Sequence, residues 1–171
     1  MRPLPIVAVA AASLALAVGT ATSASAADTT TTFAVNGGGL AITAPVSKAL
    51  GNGNPGSSSV SAALGDVAVT DTRAGTTGWG ATAASTDFTS GTNTIVKGQV
   101  NYSAGPTTAA SGTATFTPGT AAAFGATANT AYTASAVTGN NSATWSPTLT
   151  VTIPANALAG TYGATVTHSV S

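Results

Sequence analysis

The chain has 171 residues, with four Lys or Arg, four Asp, one His, no Glu and no Cys, and its formal net charge is zero. Without a basic surplus it has no means of gripping a phosphate backbone, and without Cys, Glu or a second His it lacks the donors for a zinc site. Hydrophobic residues still make up 43%, many of them Ala, which predicts one compact domain with a core of small side chains and no need of disulfides.

Residues 1–26 read as a secretory signal. Arg2 supplies the basic start, Ile6 to Val18 the apolar run, and Ala24-Ser25-Ala26 the small-residue cleavage site, with cleavage after Ala26. The apolar run is too short for a stable span. The mature domain, residues 27–171, then carries Lys48, Arg73 and Lys97 against Asp28, Asp66, Asp71 and Asp87, a net charge of −1.

Composition and punctuation of this domain predict an all-β fold, a single antiparallel β-sandwich of the Ig-like or Greek-key type. Phe33 and Val35, then Asn36-Gly37, then Leu40 and Ile42 read as strand, hairpin turn and strand. Gly51 to Ser59 is a loop with no apolar residue to hold it, and Val60, Ala62 and Leu64 resume a strand.

The stretch Leu64 to Phe88 is the most informative. Val67 and Val69 alternate with Ala68 and Thr70, Gly75 and Gly78 allow a reversal, and Trp79, Ala81, Ala83 and Ser85 share a face, which reads as a hairpin. One step further along the first strand, Asp71 and Arg73 fall on the face of Val67 and Val69. Two opposite charges at i and i+2 beside a Gly turn, in a chain this poor in charge, predict a local ion pair that fixes the turn. The alternative is that Asp71 is a catalytic carboxylate or a ligand, although no second acid, His or Cys stands near it in sequence.

Beyond Ser90 the periodicity is faint. Ile95, Val100 and Tyr102 imply a strand pair near Lys97-Gly98, while Gly105 to Ala114 and Pro118 to Thr130 read either as long loops or as strands with weakly packing Ala faces. Alternation returns in Trp145, Leu149, Val151 and Ile153, a strand ending at Pro154, and again in Tyr162, Ala164, Val166, His168 and Val170. His168 therefore sits on an apolar face. It reads as a core or rim residue with one ring nitrogen bonded to backbone, the alternative being a metal ligand for which nothing completes the site.

The segment VTDTRAGTTGW, with Asp87-Phe88 following the Trp, resembles the first conserved block of the WxL-domain family of Gram-positive cell-surface proteins. The closing stretch LTVTIPANALAGTYGATVTHSVS is similar to that family's last block. Where the family has Trp-x-Leu, this chain has Trp79-Gly80-Ala81, and at the second copy it has His168-Ser169-Val170, as in a divergent actinobacterial-type member. The resemblance implies a secreted, non-catalytic surface protein held non-covalently at the cell wall, through peptidoglycan.

Several other chemistries find no support. There is no D-x-D run for calcium, the Gly37 to Gly39 run opens no helix and so cradles no phosphate, and no G-x-S-x-G accompanies His168. Asp66, Asp71 and Asp87 each have a plainer place at a strand end or turn than as paired glycosidase carboxylates. The expectation is no enzyme, no cofactor and no metal. No LPxTG motif, lipobox Cys or C-terminal apolar anchor is found in the sequence, so the expected state is secreted and extracellular, with no integral membrane anchor. The partner is either wall glycan or another surface protein, the latter making the chain a structural or protein-interaction module that self-associates or docks a larger partner. Trp79, Trp145, Asp71 and Arg73 are the candidate binding residues. A glycan binder would show Trp79 or Trp145 as an exposed platform, and a structural module would bury both.

Overall fold

The structure is a computed structural model and describes residues 28–56 and 59–171. The expected signal segment lies outside the described residues. Residues 28–34 belong to a different compact unit from residues 35–171; they form no strand and every one of them is exposed.

Residues 35–171 are all-β and antiparallel, with strands β1 (Leu40–Thr43), β2 (Val60–Ala63), β3 (Val67–Asp71), β4 (Trp79–Ser85), β5 (Phe88–Ser90), β6 (Asn93–Ile95), β7 (Val100–Ser103), β8 (Thr107–Pro118), β9 (Ala122–Ala123), β10 (Asn129–Trp145), β11 (Thr148–Val151) and β12 (Val166–Val170). One 3-10 turn, Lys97–Gln99, precedes β7. No helix among the described residues is long and apolar enough to cross a membrane.

The main sheet is built on β10. Its 17 residues would run about 55 Å if straight. It bends instead, with register shifts around residues 135–141 and left-handed backbone at Ala136 (φ 51°) and Gly139 (φ 71°). On one side β8 follows it for nearly its whole length, from Tyr132 opposite Pro118 to Trp145 opposite Thr107. On the other side two strands share it: β4 lies against Asn129–Ala134 and β3 against Asn141–Trp145. Both are antiparallel to β10, so β3 and β4 run end to end in one direction. Outside them β1 pairs with β3 and β12 with β4.

A second sheet in the order β2-β11-β7-β9 faces the core, and β5 and β6 form a separate hairpin with Phe88 opposite Ile95. The main sheet curls towards closure in a barrel-like way, which departs from the plain two-layer sandwich expected. A long bulged central strand produces such curvature, because each bulge adds twist.

The core joins Val67, Val69, Ala81, Ala83, Ala131, Ala134 and Ala143 to Val100, Leu149 and Val151. Alanines leave space between sheets that stand about 10 Å apart, and large rings fill it. Tyr132 stacks on Trp145 at 4.6 Å between centroids, Tyr102 meets Phe124 at 5.7 Å, and Trp79 meets Phe116 at 6.0 Å.

Several expectations need correction. The stretches around Val67 and Trp79 are strands with the expected faces, but they do not pair with each other, because β10 supplies the hydrogen bonds of both. Residues 28–39 form no strand, so Asn36-Gly37 turns no hairpin; β1 pairs with β3 instead. The strands holding Ile95 and Val100 both exist, yet β6 pairs with β5 and β7 with β11. The Ala/Thr stretch 107–118 is one long strand. Trp145 ends β10 while Leu149 and Val151 belong to β11, the chain passing from one sheet to the other at Ser146-Pro147.

Candidate functional site

The break between β3 and β4 holds most of the polar chemistry of the core. Asp71 closes β3 and is 2% exposed. Its Oδ1 accepts from the backbone N–H of Arg73 at 3.0 Å and from Arg73 Nε at 2.9 Å; its Oδ2 accepts from Arg73 Nη2 at 2.9 Å and from Asn141 Nδ2 at 3.3 Å. The expected ion pair is thus present, in the forked geometry that arginine and carboxylate favour. Arg73 Nη2 also donates to the carbonyls of Thr77 and Gly78, both at 3.2 Å, which pins the far end of the loop.

Asn141 extends the network across β10. Its Oδ1 accepts from Trp79 Nε1 at 2.8 Å, which fixes the amide so that Nδ2 faces Asp71. One chain of bonds therefore runs from the first residue of β4, through the bulged part of β10, to the last residue of β3 and out along the loop. Gly139 N donates to Gly75 O at 2.9 Å and seats the loop on the bulge. Within the loop Ala74 is held at φ 56°, a left-handed conformation that costs an L-residue on the order of 1 kcal/mol and persists where its surroundings determine it.

Electrostatics follow from these partners. The Arg73 guanidinium, outweighing the opposing effect of burial and helped by the Arg73 and Asn141 N–H groups, holds the Asp71 carboxyl down at about 2. A carboxylate with four donors and so low a value is a poor proton acceptor at neutral pH. Its geometry suits holding two collinear strands in register.

Trp79 is 4% exposed and Trp145 fully buried. Neither presents a ring face to solvent. Trp145 Nε1 donates to the Tyr102 hydroxyl at 3.4 Å, and that hydroxyl lies 3.1 Å from His168 Nε2. Burial pushes the Tyr102 phenol up to about 12, so at neutral pH it keeps its proton while it accepts from Trp145 and shares a hydrogen bond with His168 Nε2. Burial also holds His168 below its usual value, and its Nδ1 is buried without a partner. The ring nitrogen is bonded to a side chain of the facing sheet, not to backbone as expected.

His168 borders a cavity of about 690 Å³ beneath the loop 44–55, walled by Leu64, Phe88, Ile95, Val151 and Tyr162. Its lining includes Lys48 but no carboxylate. Asp87, elsewhere, accepts from the backbone N–H of Lys97 at 2.7 Å and so orders the 3-10 turn. Among the described residues no group of three or more potential metal ligands occurs.

The structure therefore joins Asp71, Arg73 and Trp79 in one network and sets Trp145 in another, with Tyr102 and His168. Sequence alone did not point to Asn141, the residue that bridges strand to strand, since nothing marks one Asn among low-complexity neighbours. Nor did it point to the cavity, whose walls come from six separate stretches. No family model matches the chain, and no curated protein matches it.

Proposed function

We propose that this chain is an exported, non-catalytic surface module of the WxL type, retained non-covalently at the cell wall by short-range, uncharged contacts. We also propose that its fold is a variant of the Ig-like, Greek-key sandwich in which one sheet has curled. The observation that carries the functional reading is the internal use of its sparse chemistry. Asp71 is saturated by donors, Arg73 is spent on the loop, and the long strand β8 turns Thr113, Thr115 and Thr117 outward with no charge among them. A row of hydroxyl groups along an exposed edge strand suits hydrogen bonding to a polar polymer.

Burial of both Trp79 and Trp145 favours a second reading, in which the partner is a protein. A sugar-stacking platform requires an exposed ring, and these two rings serve the core. Sedimentation of the secreted protein with purified wall, before and after the wall is stripped of its proteins, separates the two. Binding that survives stripping supports glycan contact; binding lost on stripping supports a protein partner; failure to sediment with either preparation refutes wall retention.

A further inference from the structure

Sheet edges are hazards that proteins blunt with short strands, charges or cover. Here β1, β2, β9 and β12 are short, at two to five residues. β8 is the exception. It spans 12 residues without one charged side chain, pairs with β10 alone, and is exposed on both faces from Thr108 to Thr113. Its outer backbone groups form a template for another strand.

The same chain carries a segment fitted to that template. Residues 29–36, TTTTFAVN, are rich in β-forming side chains, uncharged and exposed. Phe33 is 91% and Val35 78% exposed. Two apolar side chains at i and i+2 fall on one face when such a segment is extended. On β8, Ala114 and Phe116 show the same spacing, half-buried against the core with Phe116 beside Trp79, and Thr113, Thr115 and Thr117 on the other face.

We propose that the β8 edge of one copy takes up residues 31–36 of a second copy as an added antiparallel strand, linking copies head to tail. Phe33 then lies opposite Phe116 and Val35 opposite Ala114, extending the apolar face, while Thr32 and Ala34 join the outer threonines. The apolar alternation sets this register, because a slip of one residue would turn both apolar side chains to water. Main-chain bonds supply affinity and the paired side chains supply register. Such a heterologous contact leaves an arm free at one end and an edge free at the other, so it propagates. The inference deepens the protein-partner reading and does not depend on the wall.

The test is analytical ultracentrifugation of the secreted protein, free of wall material, over about a hundredfold range of concentration. Wild type is expected to form a concentration-dependent series of oligomers. Phe33→Asp, at a position too exposed to affect folding, disables the arm. Ala114→Asp, half-exposed in the single copy but covered on docking, disables the edge, and its melting curve shows that it folds. Each variant alone should be monomeric, and an equal mixture should give dimers and nothing larger, since one copy retains an edge and the other an arm. Wild type monomeric throughout would overturn the proposal, as an arm bound to its own β8 would give. Association of Phe33→Asp alone would also overturn it, showing that two β8 edges pair directly. If Ala114→Asp does not fold, Thr115→Lys serves in the mixture, with the same expected and contradicting results. Either failure leaves wall retention, measured by sedimentation, where it stood.

Discussion

Asp71 shows how much a single residue can hold. In Asp71→Asn the forked pair with Arg73 is lost and, whichever oxygen it replaces, the amide N–H₂ is set against N–H donors, so a melting temperature lower by on the order of 5 °C is expected. Wall association of the folded variant should be unchanged, and a loss of association without thermal effect would make Asp71 a binding residue. The pH dependence carries the same signature. With the carboxyl lowered from 3.8 to about 2, its contribution is complete above about pH 4 and disappears as the pH falls through about 2. Acid melts of wild type and Asp71→Asn should therefore converge at low pH. His168 works at milder pH. Its folded value lies below 6.5, so on acidification the unfolded chain takes up the proton first and stability declines as the pH drops below about 6.5. Replacing it, as in His168→Gln, should flatten the melting temperature between about pH 7.5 and 5, and an unchanged slope would place that titration elsewhere. The pairing of Asp71 with Arg73 was legible because charge is so scarce. The bond of His168 to Tyr102 was not, since it joins residues 66 positions apart in different sheets.

At the level of elements, alternation identifies strands and faces but not partners. Val67, Val69 and Asp71 are buried on one face, as are Trp79, Ala81, Ala83 and Ser85, just as a period of two implies. Local sequence nevertheless reads the glycines between them as a hairpin turn, whereas the loop rides over a bulge in β10. That strand was faint in the sequence because its buried positions include Ala131, Ala134 and Ala143, which contrast little with the Thr and Gly around them. The end-to-end arrangement makes its own prediction. A Cβ at position 78 would collide with the Ala134 carbonyl, whereas one at position 80 meets nothing within 4 Å. Gly78→Ala should thus lower the melting temperature by several degrees, on the order of 1–3 kcal/mol of overpacking, while Gly80→Ala leaves it nearly unchanged. Equal effects at the two positions would contradict the close seating of the loop on β10.

Taken as a whole, the molecule buries one charged pair, Asp71 with Arg73, leaves Asp28, Lys48 and Asp87 exposed, and turns a hydroxyl-rich surface of nearly balanced charge outward. Its class was readable from composition and turn spacing, since Thr, Val, Ala and Gly with recurrent turn signals leave little but β structure. The curl of the main sheet was not, because it depends on how long β10 runs and where it bulges. The proposed surface role follows from the same economy of charge: three cations against four carboxylates in residues 27–171 leave no surplus for counterion release at an anionic wall polymer. Contacts of hydroxyl, backbone and apolar groups act at short range and are little screened. The most direct measurement is sedimentation of the secreted protein with purified cell wall at low ionic strength and again at about 0.5 M NaCl, where the Debye length is well below the ~8 Å of physiological salt. The protein is expected in the pellet under both conditions, and its absence from the pellet at low salt, or its release by salt alone, would contradict the account.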